Sequence, residues 1–150
     1  IGKPHIARAV AKYMGISTCG VEFDIFYAEN FKKGGKLYVE REKITTTKAI
    51  EVLDNAGGIP VLAHPADAGV DELLPYLIRK GMAGIEVFYP YRASAKQKIE
   101  HYMTLATKMG ILMTGGSDSH GPGSSKDVPL AAVKVPIDVY NRLLEYKEGL

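Results

Sequence analysis

Cysteine is nearly missing. With Cys19 alone, the chain cannot close an internal disulfide. No apolar run has the length a membrane span needs, and no segment has the order of a signal peptide. Charge of one sign is also scarce. The 19 Lys and Arg are set against 17 Asp and Glu, and the net of +2 comes without the basic blocks of a nucleic-acid tail. Internal repeats and low-complexity tracts are absent. These absences point to a cytoplasmic domain that does not enter a membrane. What is present fits that reading: 150 residues, 46% of them hydrophobic, are enough for one domain with a core, and the mildly basic balance suits an anionic substrate.

Periodicity divides the chain into two regimes. From Pro4 to Met14 the residues Ile6, Ala9, Val10, Tyr13 and Met14 recur at helical spacing, with Gly15 as the stop. An aromatic stretch from Val21 to Phe31 and the extended-looking segment Leu37-Tyr38-Val39 complete a small helical lobe. Beyond it, helices and strands alternate. A helix follows the cap Thr45, a strand runs through Ile59 to Leu62, and a second helix, opened by Asp71, reaches Gly81. Next come a strand at 84–89, a helix over 94–109 and a strand at 111–113. A last strand at 130–135 and a helix from Ile137 to Tyr146 close the order. That alternation is the pattern of an α/β fold with a parallel sheet. Four strands are too few for a closed barrel of about eight strand–helix units.

The chemistry-bearing residues cluster where these strands run out. In Gly115-Gly116-Ser117-Asp118-Ser119-His120-Gly121, a carboxylate and an imidazole stand two positions apart. With a side-chain period of two they leave one face, which suits a shared metal ion. A turn held by Asp bonding its own backbone is the competing reading. Upstream, Pro65 stops a second strand and leaves His64 at its tip. Parallel α/β folds gather active-site residues at such C-terminal tips, so two strands deliver metal-competent side chains to one edge. Glu86 could join the site or pair with Arg or Lys, and Ser117 suits a supporting role. His5, at the start of the first helix, suits an anion. Arg8, Arg92 and Lys126 are candidate phosphate contacts, with ordinary surface charge as the alternative for each. His101 lies off the apolar stripe of its helix and is expected to be solvated.

The segments Gly-Lys-Pro-His-Ile-Ala at 2–7, Ala-Gly-Gly-Ile-Pro-Val-Leu-Ala-His-Pro at 56–65, Gly-Ile-Glu-Val-Phe-Tyr at 84–89 and Gly-Gly-Ser-Asp-Ser-His-Gly at 115–121 resemble, in that order, the PHP (polymerase and histidinol phosphatase) family of phosphoesterases. The resemblance implies a distorted (β/α)7 TIM-like barrel with a small helical insertion at about residues 1–45 and the C-terminal barrel portion at 46–150. It further implies two or three divalent ions, with His64, Asp118 and His120 as ligands and His5 on a substrate phosphate. Mixed His and Asp ligation suits Mn, Zn or Fe. The family's N-terminal His-x-His motif, its further Asp-His motif and its bridging acid do not occur in this sequence. The chain therefore reads as the C-terminal part of a longer enzyme. The expected activity is hydrolysis of a phosphate ester on a small molecule, nucleotide or oligonucleotide end, with metal-bound hydroxide as nucleophile. A non-catalytic PHP fragment serving as an interaction domain is the alternative.

Overall fold

Residues 2–40, 43–92, 94–121 and 128–149 are described by a computed structural model of the chain. Two units divide it, Ile1–Lys43 and Ile44–Leu150.

In the first unit, α1 (Lys3–Tyr13) packs on α2 (Gly20–Phe31). Ala7 and Ala11 are fully buried on α1, and their small side chains leave room for Phe23, Phe26 and Phe31 of α2. The extended-looking segment Leu37-Tyr38-Val39 pairs with no strand among the described residues and begins in a turn. Its chain folds back on α2 instead: Leu37 N–H donates to Asn30 O at 2.8 Å, and Lys36 N–H to Glu29 O at 3.1 Å. The last carbonyls of the helix thus take the donors that a strand partner would have needed.

The second unit opens with α3 (Thr46–Asn55), where Thr45 Oγ1 accepts from Lys48 N–H as an N-cap. Then follow β1 (Val61–Leu62), the short α4 (Pro65–Ala68), a 3-10 turn (Asp71–Leu73) and α5 (Leu74–Arg79). The unit ends with β2 (Gly84–Phe88), α6 (Ala95–Met109), β3 (Leu112–Gly115) and α7 (Ile137–Glu148). The sheet has the order β1-β2-β3, with both pairings parallel. Such pairing requires a crossover between neighbours, and α4, α5 and α6 supply it. The central β2 buries Ile85 and Val87, which share one face of the strand, completely.

Three differences from the sequence reading have local causes. The helix expected from Asp71 to Gly81 is split, because Pro75 is tolerated only in a first helical turn and so forces α5 to begin at Leu74. The N-cap of the 3-10 turn is Val70, so Asp71 lies inside the turn rather than capping a helix. The strand expected at 130–135 does not form. Ala131 has φ 62°, and Ala132 N–H donates to Pro129 O at 3.2 Å, a turn that interrupts extended backbone. The sheet among the described residues therefore has three strands. In that region no helix is long and apolar enough to cross a membrane.

Candidate active site

Because all three strands run parallel, their C-terminal ends share one edge of the sheet. His64 follows β1, Tyr89 follows β2, and Asp118 follows β3. Pro65 starts α4 at once, and His64 turns the corner with φ 31°. Asp118 turns the β3 exit with φ 47°. Left-handed backbone at non-glycine residues is uncommon and gathers at functional sites. Two of the four described cases fall on this edge.

Side chains then tie the exits together. His64 N–H donates to Glu86 Oε2 at 2.9 Å, which fixes the β1 exit to β2. The His64 ring lies against Tyr89, with centroids 5.2 Å apart. Tyr89 in turn donates its hydroxyl to Asp118 Oδ2 at 3.0 Å, which fixes β2 to the β3 exit. His120 Nε2 stands 3.4 Å from Asp118 Oδ1. Tyr89 is buried, Asp118 half-buried and His120 exposed, so the chain of contacts runs from core to surface.

Among the described residues, no group of three or more His, Cys, Asp or Glu side chains is gathered closely enough to hold a metal ion. The donors present nevertheless fit part of a ligand set. His64 Nδ1 is buried without a hydrogen-bond partner, a costly state for an imidazole nitrogen that a cation would relieve. Asp118 and His120, with Oδ1 and Nε2 3.4 Å apart, offer the mixed O and N ligand types that suit a transition metal.

Beside Asp118 lies a cavity of about 270 Å³, bordered by Tyr89, Pro90, Tyr91, Arg92 and Ser117, and also by Asp67, Lys98 and Val128. Ser117 and Arg92, both candidates from the sequence, line the same cavity as Asp118. Asp67 and Lys98 were missed, and the only trace of Lys98 was its place near the start of the helix after the β2 exit. Burial pushes the Tyr91 hydroxyl up to about 12, with the backbone of Ala66 opposing and Glu86 and Asp67 adding to the rise. His5 and Arg8 belong to the first unit. There His5 Nδ1 accepts from Gly2 N–H at 3.1 Å, and the Arg8 guanidinium lies 5.4 Å from the Phe23 ring centroid. Lys126 lies outside the described residues.

His101 is half-exposed but not merely solvated. Its Nε2 is 2.8 Å from Asp71 Oδ2, and Tyr102 donates its hydroxyl to Asp71 Oδ1 at 2.7 Å. Burial pushes the Asp71 carboxyl up, but the bonds from Tyr102 and His101 and the charge of His101 outweigh it and hold it below its ordinary value. Burial, followed by the bond to Asp71, pushes Tyr102 well up.

Over 110 residues, 73% of the chain, the sequence is 34% identical to phosphoribosyl 1,2-cyclic phosphate 1,2-diphosphodiesterase of Eggerthella lenta. A solved structure from Bifidobacterium adolescentis, named a metal-dependent phosphoesterase, matches 96% of the chain with TM-score 0.70 and 29% identity. Both matches support a PHP-like phosphoesterase family. An amidohydrolase from Chromobacterium violaceum, with bound sulfate and no metal, shares the fold over 98% of the chain at TM-score 0.62 and 21% identity. No protein-family model matches. The PHP-like chain spans 40% of the length of the curated relative and about half of each solved structure, 50% and 51%.

Proposed function

We propose that the chain forms part of a cytoplasmic metal-dependent phosphoesterase, which hydrolyses a phosphate ester on a small molecule, nucleotide or oligonucleotide end. The observation that carries this reading is the linked strand-exit edge: His64, Tyr89 and Asp118 from three neighbouring strand ends, with a buried unpartnered imidazole nitrogen at one end. His64, Asp118 and His120 are assigned as ligands of two or three divalent ions (Mn, Zn or Fe). The remaining ligands come from the portion of the relatives that this chain does not span, and the three strands form part of a distorted (β/α)7 barrel. When bound, such ions acidify water and offset the charge of phosphate oxygens.

The chain's own residues orient this chemistry. Tyr89 holds one carboxylate oxygen of Asp118, fixing the direction of the other, and Glu86 holds the backbone of His64. Arg92 and Ser117, at the cavity beside Asp118, suit phosphate oxygens as charged and neutral donors. His5, Arg8 and Lys126 are further phosphate contacts in this reading. His5 has that role by its Pro-His-Ile-Ala motif; Arg8 and Lys126 have it by charge and closeness in sequence to the proposed site elements.

Metal analysis of the complete protein, together with hydrolysis of p-nitrophenyl phosphate, tests the proposal. Bound Mn, Zn or Fe and metal-dependent turnover are expected, with occupancy lowered by His120→Ala and unaffected by His101→Ala. A complete protein that binds no metal and hydrolyses no ester would leave the non-catalytic interaction domain as the better reading. Equal loss of metal in the two variants would overturn the ligand assignment.

A further inference from the structure

Charge in the first unit is sorted by helix. α1 carries Lys3, Arg8 and Lys12 and no acid, whereas α2 carries Glu22, Asp24 and Glu29 and no base. Opposite charges on two packed helices attract at short range. Yet among the described residues no ion pair joins α1 to α2. The Lys3 ammonium lies 4.5 Å from the Tyr38 ring centroid, the Arg8 guanidinium sits over Phe23, and Glu22 Oε2 accepts from Ser17 N–H at 3.3 Å. Lys12, Asp24 and Glu29 are exposed.

Each helix also leaves an apolar stripe open, and the two stripes match. Ala7 and Ala11 turn one side of α1 to the aromatic residues of α2. A different side carries Ile6, Val10 and Tyr13 along an open groove of about 680 Å³, which His5 and Ala9 complete. On α2, Phe23, Phe26 and Phe31 are buried, and Val21, Ile25 and Ala28 stand on the outer side. Both sets are spaced i, i+4, i+7, the ridge by which one helix packs on another. Tyr13 is 92% exposed and Val21 76%. Single exposed apolar residues need no explanation, but a stripe on each of two helices marks an interaction surface.

Charge borders these stripes with opposite sign. By helical spacing Lys3 and Lys12 fall on the two sides of the α1 stripe, and Asp24 and Glu29 on the two sides of the α2 stripe. An anionic partner, whether a phospholipid surface or a nucleic acid, suits α1 but is repelled by the acids of α2. An apolar helix with acidic edges suits α1, and one with basic edges suits α2. This chain supplies both.

We infer that the first unit is a self-association surface, on which the open face of α1 in one copy seats the open face of α2 in a second copy of this chain. In a two-fold pair the contact is made twice, α1 of each copy on α2 of the other. The apolar stripes carry the attraction, since exposed ion pairs contribute little singly. Lys12 and Asp24 at the edges fix which helix meets which, because like charges set side by side oppose the wrong pairing. The contact is independent of the chemistry at the strand exits.

Light scattering on the complete protein over a dilution series tests the inference, with wild type expected at the mass of two chains. Lys12→Glu sets an acid against Asp24 of the other copy, and Asp24→Lys sets a base against its Lys12. Each variant should therefore dissociate at a concentration about tenfold higher or more. Mixing the two variants should restore the pair, because each then meets the opposite charge on the other. Recovery on mixing also shows that both variants are folded and that the contact runs between chains, since a mismatch inside one chain cannot be corrected by another. A wild type that stays a monomer at every concentration would overturn the inference and leave these faces to the rest of the same polypeptide. Pairs that survive both single reversals unchanged would overturn it too, as would single variants that stay apart when mixed.

Discussion

Gly115 and Gly116 are adjacent and chemically identical, yet alanine should act on them in opposite directions. A Cβ at Gly115 would sit 2.4 Å from Phe88 Cβ, 2.5 Å from Phe88 O and 3.0 Å from Phe88 Cα. Carbon atoms prefer separations of about 3.5–4.0 Å, so the shortfall exceeds ~1 Å and falls on backbone that cannot swing aside. β2 and β3 must part at their irregular register between Glu86 and Phe88, which also stretches the Gly116 N–H to Phe88 O bond of 2.9 Å. Overpacking of this kind costs about 1–3 kcal/mol. A Cβ at Gly116 meets nothing within 4 Å, so alanine there should be neutral or stabilise by up to ~1 kcal/mol through the unfolded chain. The two variants should therefore differ by about 1–4 kcal/mol in urea unfolding, read as a shift in midpoint at constant slope. The same parting moves Tyr89, next to Phe88, away from Asp118, so Gly115→Ala should also lose metal while Gly116→Ala keeps it. Equal stability of the two variants would refute the claim that backbone approach at Gly115 holds the two strand exits together.

The hydroxyl of Tyr89 can be tested without disturbing its buried ring. Tyr89→Phe should weaken Mn or Zn binding by about tenfold in a direct titration, the lower range for a group that orients a ligand, and an unchanged affinity would remove Tyr89 from the site. A second test concerns Asp71, whose carboxyl is held below its ordinary value of 3.8 by Tyr102 and His101. Because the folded value is the lower one, the stabilisation is present above 3.8 and fades as pH falls through the folded value. Asp71→Asn should therefore melt earlier than wild type at neutral pH, by under about 1 kcal/mol for so exposed a pair, with the gap closing in acid. A gap that stays constant with pH would show that the charge on Asp71 does not contribute.

The sequence determined whatever local chemistry can dictate. Thr45 caps α3, Pro65 ends the β1 exit at His64, and Gly115, the first of the Gly-Gly before Ser117, marks close backbone approach. The alternation of helix and strand gave a parallel sheet, and a parallel sheet puts His64 and Asp118 on one edge. Local pattern misled where a nearby turn or helix end took the backbone groups that a strand would have used. Leu130 to Val135 has apolar content suited to a strand, but the turn at Ala131 interrupts it, and Leu37 spends its N–H on α2 rather than on a neighbour strand. Tertiary structure alone decided the partnerships: Tyr89 with Asp118 across 29 positions, His64 with Glu86 across 22, and His101 with Asp71 across 30. Lys98 over Tyr91 belongs with them, since a side chain's neighbours through space depend on strand order and helix placement, which no residue encodes by itself.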